Sequence, residues 1–178
     1  MIRLFAAVAV PDHIAEGLAR RQQGLPRARW RTGESLHITL RFFGEVSEPV
    51  AADIDAELAG IRQEPFEIEL AGVGSFGEGL DIRAVWAGVA DSEPLRRLAG
   101  RCESAARRAG LKPETRAYRP HVTLAYLRQS PQDRVAAWIA GHNLLHSPPF
   151  RVDTFGLYSS WLSDDGSSYD LEREYRLF

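Results

Sequence analysis

One pentapeptide pattern occurs twice in this chain and constrains it more than any other feature. Leu36-His37-Ile38-Thr39-Leu40 returns as Pro120-His121-Val122-Thr123-Leu124. In the first copy Leu36, Ile38, Leu40 and Phe42 alternate with His37, Thr39 and Arg41. That period of two belongs to a half-buried strand, with the apolar set facing a core. The second copy alternates in the same way, with Val122 and Leu124 against His121 and Thr123. Each strand therefore presents a histidine and a threonine side by side on one face, and two such strands can build one symmetric site.

The remaining chain predicts an α+β order. Arg3 to Val10 reads as a strand. Asp12 is placed to cap a helix running from Pro11 to near Gly24, and residues 25–33 form a connection holding Trp30. After the first His-Thr strand, Ser47 and Pro49 open a second helix reaching about Gln63. Pro65 to Leu70 and Ile82 to Val89 read as strands around a glycine-rich turn, residues 72–79. Ser92 to Ala109 is the clearest helix, with Gly110 as its stop. Lys112 to Arg119 is a polar connection, and Pro120 extends the chain into the second His-Thr strand. Ser130-Pro131 starts a fourth helix, to about Ala140. Phe150 to Trp161 and Tyr169 to Leu177 close the chain as strands joined by a turn at Asp165-Gly166. Each His-Thr strand is thus followed by a helix and then a pair of strands. The expected architecture is bilobal, with two mainly antiparallel sheets and outer helices related by a pseudo-twofold, and a cleft between the lobes. No linker divides the halves, so residues 1–178 are expected to be one domain.

Composition narrows the function. The single cysteine, Cys102, excludes an internal disulfide, and its neighbours Leu95, Leu98, Ala99 and Ala106 share a helical face, as for a packed core thiol. No apolar run is long enough for a membrane span and the first residues lack a signal-peptide pattern, so a cytoplasmic location is expected. A net charge of −2 supplies no field for gathering long nucleic acid; a nucleic acid partner would be met at one end or one nucleotide. Lys112 is the one lysine, and the arginine bias is read as a coding preference. Gly72-Val73-Gly74-Ser75-Phe76-Gly77 matches the dinucleotide-binding pattern letter for letter, but a strand follows where that reading needs a helix, so a hairpin is expected.

Two imidazoles near neutrality can share acid and base duty, one taking a proton from water and the other giving one to a leaving oxygen. Two hydroxyls beside them suit an anion with several oxygens, meaning a phosphate. A catalytic zinc usually takes three protein ligands, and one histidine per strand with no further His, Cys or H-E-x-x-H pattern falls short of that. No metal and no cofactor are therefore expected, nor a serine nucleophile, as there is no G-x-S-x-G elbow. A single H-x-T-L would be read as ordinary strand sequence; two copies, each before a capped helix, favour function. His13, His142 and His146 are expected to be exposed bystanders. Trp30, Phe43 and Tyr126 are candidates to stack on a base, with core or rim packing as their plainer use.

The paired His37-Ile38-Thr39-Leu40 and His121-Val122-Thr123-Leu124 resemble the H-x-T-x signatures of the 2H phosphoesterase superfamily, and most closely the RNA 2′,3′-cyclic phosphodiesterases, historically called 2′-5′ RNA ligases. Arg3 to Ala7, Leu36 to Val46, Trp86 to Val89, Arg119-Pro120-His121 and Phe155 to Ser160 extend the resemblance over essentially the whole chain. It implies an enzyme, an RNA 2′,3′-cyclic 3′-phosphodiesterase, that opens cyclic phosphate ends of RNA or nucleotides to 2′-phosphates without metal. By the same resemblance His37 matches the proton donor, His121 the proton acceptor, and Thr39 and Thr123 the phosphate-binding hydroxyls. The family often carries arginine where this chain has Tyr126. Arg41 and Arg128 are the candidates to replace its charge, and Tyr126 to donate a hydrogen bond or stack. No protein partner is implied and a monomer is expected. The alternatives are an end-binding module without useful catalysis, or a 2H enzyme acting on ADP-ribose cyclic phosphate or on 2′-5′ linkages.

Overall fold

Ten strands and four α-helices follow one another among the described residues: β1 Ile2–Ala9, α1 Asp12–Ala19, β2 Ala28–Trp30, β3 His37–Val46, α2 Glu48–Ala59, β4 Phe66–Ile68, β5 Leu70–Phe76, β6 Ala84–Val89, α3 Glu93–Arg108, β7 His121–Leu127, α4 Gln132–His142, β8 Phe150–Val152, β9 Thr154–Ser163 and β10 Gly166–Arg176. This is a computed structural model, and it describes residues 1–164 and 166–178. The Asp165 half of the expected Asp165-Gly166 turn lies outside the described residues. No described helix is long and apolar enough to cross a membrane.

An eight-stranded sheet runs in the order β10-β9-β1-β3-β7-β6-β5, with β2 added on β7, and β4 pairs with β8 in a small second sheet. All pairings are antiparallel. The large sheet is two half-sheets joined by one residue pair, Ile38 opposite Val122. These are the x residues of the two H-x-T signatures, so the pseudo-twofold passes through that pair. The small sheet repeats the device, with Glu67 opposite Arg151 at its centre.

The repeat is strand-helix-strand-helix-strand-strand, β1 through β5 and β6 through β9, with β2 an insertion. Each half-sheet is nevertheless built from both repeats. β5 pairs with β6, the first strand of the other repeat, and β9 pairs with β1. The last strand of each repeat, β5 or β9, therefore lies in the half-sheet of the other, while β4 and β8 pair with each other. Helices α2 and α3 pack together, α3 against β3, while α4 lies on β5. The core between them holds Leu4, Ile54, Leu58, Leu95, Leu98 and Leu124, all 2% exposed or less.

Several boundaries differ from expectation for local reasons. α1 stops at Ala19 and has Pro11 as its cap, without a side-chain bond from Asp12. Beyond it the chain is drawn off by other partners, as the Trp138 indole donates to the Arg21 carbonyl at 3.0 Å. Ser130 does not cap α4; Pro131 holds that position, and the Ser130 hydroxyl donates to the Pro26 carbonyl at 2.7 Å. α3 is capped as expected, with Ser92 Oγ accepting from the Leu95 N–H, and Cys102 is fully buried within it. Burial there pushes its thiol pKa up, which leaves it unreactive.

Residues 72–76 of the glycine-rich stretch belong to strand β5, and the turn begins only at Gly77. The hairpin partner of β5 is β6, and between them lies a single 3₁₀ turn, Gly79–Asp81, with no α-helix, so the dinucleotide pattern is a coincidence of letters. Gly74 has a packing cause: a Cβ there would stand 2.4 Å from the Trp86 ring lying across it. The connection expected at residues 25–33 contains β2, whose three residues are too few to show a period.

Candidate active site

The position of the seam builds the site. Antiparallel register carried one residue either side of Ile38–Val122 sets His37 toward Thr123 and Thr39 toward His121. All four side chains lie on one face, and they line one cavity of about 430 Å³.

Both signatures then carry a register shift at the leucine after the threonine. Between Ala6 and Ala7 the β3 partner jumps from Arg41 to Thr39, leaving Leu40 unmatched; between Val85 and Trp86 the β7 partner jumps from Ala125 to Thr123, leaving Leu124 unmatched. A bulge adds a residue and inverts the alternation beyond it. Arg41 consequently leaves the cleft. Its side chain is 10% exposed and bonds Glu103 on α3 at 2.7 Å and the Lys112 carbonyl at 2.9 Å. Phe42, expected in the core, is 58% exposed and lines the cavity instead. On β7 the same inversion buries Ala125 and turns Tyr126 into the cavity. Arg128 is exposed and is not part of the cavity wall. Of the sequence candidates, His37, His121, Thr39, Thr123 and Tyr126 come together, and Arg41 and Arg128 do not.

The two histidines are held alike. His37 Nδ1 lies 3.0 Å from the Ser35 carbonyl, and His121 Nδ1 lies 2.6 Å from the Arg119 carbonyl. Each partner is the residue two positions upstream. A carbonyl only accepts, so Nδ1 carries the hydrogen, and in the neutral ring Nε2 is left as an acceptor. His37 stacks on Phe5 at 4.9 Å and meets the edge of Tyr169 at 5.1 Å. His121 meets the edge of Phe76 at 4.7 Å. Burial among these rings lowers the His37 pKa to about 4, against the favourable Ser35 carbonyl and with help from the Arg31 charge and His121. Burial also lowers His121, with the Arg119 carbonyl opposing and the Arg119 charge adding to it. Both imidazoles are thus neutral bases at neutral pH in the free site. His37 is the more strongly held in that state.

Arg31 and Tyr169 are among the cavity residues not singled out from the sequence. Arg31, one residue past β2, is 8% exposed and points into the wall between Tyr126 and Tyr169, with ring centroids 5.6 and 5.1 Å from its guanidinium carbon. Tyr169 comes from β10. The available signal for Arg31 was its place before a signature strand, which any loop arginine shares. Trp30 is half-buried against Trp138 at 6.0 Å and Phe43 is buried, so both are packing residues. His13 and His146 are exposed, whereas His142 is half-buried against Trp138 at the end of α4.

The sequence profile of the 2′-5′ RNA ligase superfamily matches residues 10–161. An RNA 2′,3′-cyclic phosphodiesterase of Archaeoglobus fulgidus is 31% identical over 172 residues, covering 94% of this chain and 96% of its own. One of Aeropyrum pernix is 49% identical over 96 residues, 53% of this chain and 54% of the relative. Among solved structures, E. coli LigT complexed with 3′-AMP superposes with a TM-score of 0.80 at 28% identity, covering 99% of this chain and 98% of that one.

Proposed function

The chain belongs to the 2′-5′ RNA ligase superfamily, and on that premise we propose that it is a metal-independent hydrolase of 2′,3′-cyclic phosphate ends on RNA or nucleotides. The observation that carries this reading is the single Ile38–Val122 pair, which collects two histidines and two threonines on one face of one cavity. The curated relatives named for this activity and the 3′-AMP complex of LigT support a nucleotide end as the ligand. We treat residues 1–178 as one domain for this chemistry.

In the proposed reaction His121 Nε2 takes a proton from a water molecule, whose oxygen attacks phosphorus opposite the 3′ oxygen. The P–O3′ bond breaks, and His37 Nε2–H protonates the departing 3′ oxygen. The product is a 2′-phosphomonoester with a free 3′-hydroxyl. The division of roles follows the family resemblance. His37 must gain a proton from solvent before it can act as donor. A bound phosphodiester anion offsets the burial and the Arg31 charge that hold it neutral. Thr39 and Thr123 donate hydroxyl hydrogen bonds to the phosphate oxygens, and the cavity takes one nucleotide end.

The test is turnover of a 2′,3′-cyclic mononucleotide by purified protein in EDTA, beside cyclic-phosphate ADP-ribose and 2′-5′ linked dinucleotides. Product carrying a 2′-phosphate is expected, with His37→Ala and His121→Ala each losing about 10²–10⁴ in rate. No hydrolysis of the cyclic mononucleotide between pH 5 and 8 would overturn the reading. Activity that EDTA abolishes would overturn its metal independence.

A further inference from the structure

Three charged side chains line the cavity: Arg3, Glu45 and Arg31. Arg3 and Glu45 lie 3.6 Å apart and offset each other. Arg31 is buried and, among the described residues, has no carboxylate within ion-pair distance. Among those residues its one side-chain hydrogen bond goes from Nη2 to the Ser167 carbonyl at 3.2 Å. A guanidinium carries five N–H donors, so most of its capacity is unspent, and burial of an unpaired charge is costly. The flanking faces of Tyr126 and Tyr169 offset part of that cost.

The backbone is arranged to keep the group there. The Arg31 N–H donates to the Leu124 carbonyl at 2.8 Å, which docks it beside the second signature. Gln22 Nε2 donates to both the Arg31 and Leu124 carbonyls, at 2.5 and 3.2 Å, and so ties the two strands together behind the cleft. A pinned cation, two neutral imidazoles and two hydroxyls facing one 430 Å³ space lack one component, an anion with several acceptor oxygens.

We propose that Arg31 is the phosphate-binding cation of this site, donating its free N–H groups to the non-bridging oxygens of the phosphoryl group held between the two His-Thr pairs. This deepens the hydrolase reading and rests on it for the identity of the phosphoryl group. The geometry gives the charge to β2 and its follow-on residue, one strand away from Tyr126, and Tyr126 becomes the surface on which the guanidinium lies.

The test uses inorganic phosphate as the probe, by calorimetric titration of the wild-type protein, Arg31→Met and Arg31→Lys. Arg31→Met is expected to bind phosphate about 10- to 100-fold more weakly, with Arg31→Lys between it and the wild type. On a cyclic mononucleotide the loss should fall on kcat/KM. Independently of any variant folding, the Arg31 Nε–H resonance of the wild-type protein should shift and saturate as phosphate is added. Equal phosphate affinity in wild type and Arg31→Met, or an Arg31 resonance indifferent to phosphate, overturns the proposal. Arg31-dependent phosphate binding without turnover would sink the hydrolase reading alone. Turnover with phosphate binding indifferent to Arg31 would sink this inference alone.

Discussion

Replacing His37 by glutamine should change how the stability of the protein depends on pH, by an amount set by the wall around that ring. The native imidazole has its pKa lowered to about 4 from an ordinary 6.5. Above pH 6.5 the ring is neutral in both folded and unfolded chains and contributes nothing. As pH falls through 6.5 the unfolded chain takes a proton that the folded one refuses, so stability is lost until about pH 4, where the native ring also titrates. Integrating the two binding curves gives a loss of about 2 kcal/mol between pH 7 and pH 5 from this group alone. Glutamine keeps a side-chain N–H for the Ser35 carbonyl and does not titrate. Urea unfolding of both proteins at pH 7 and pH 5, at constant ionic strength and without phosphate, isolates the term, because other groups cancel in the difference of differences. The wild type should lose about 2 kcal/mol more than His37→Gln. Parallel losses, agreeing within about 0.5 kcal/mol, would mean that the ring titrates as if in water, and the dry aromatic wall of Phe5 and Tyr169 would not exist in solution.

Further outcomes follow from the same geometry. Because both free imidazoles are shifted below 6.5, kcat/KM should peak on the acid side of neutrality. The kcat optimum should lie higher, since bound anion raises both values; coincident optima in a steady-state pH series would contradict this. Thr39→Ala and Thr123→Ala should each cost about 1.5–3 kcal/mol of transition-state stabilisation, less than either histidine, read as the drop in kcat/KM. Arg41→Met should leave kcat/KM within about twofold yet lower the unfolding free energy by about 0.5–1.5 kcal/mol, since Glu103 loses its 2.7 Å bond but keeps Arg107 and the Glu114 N–H; a large activity loss with unchanged stability would return Arg41 to the cleft. Gly74→Ala should destabilise by about 1–3 kcal/mol through overpacking against Trp86, visible as a lowered Tm, and an unchanged Tm would show that the indole can move aside.

Local interactions are written in the sequence, and long-range ones are not. The His-Thr faces were legible because side chains alternate along any strand, whatever its neighbours. The α3 helix was legible because Ser92, Glu93-Pro94 and the apolar stripe all act within a few residues. What sequence reading missed depends on partners distant in the chain. Arg41 continues the His37-Thr39 alternation on paper, but a bulge at Leu40 turns it to Glu103 and brings Phe42 into the cleft. β2 is three residues long and exists because β7 offers it an edge. The two repeats exchange their last strands, β5 and β9, which no local pattern records.

The amino-acid sequence by itself determined the chemical groups, their pairing in twos and the side of the strand on which each pair stands. Tertiary structure decided that the strands meet at Ile38 and Val122, that Arg41 leaves, and that Arg31 stands in the cavity. The physical reason is that alternation is a property of one backbone, whereas register, bulges and burial of a charge are settled only when a second strand hydrogen-bonds to the first and excludes water around it.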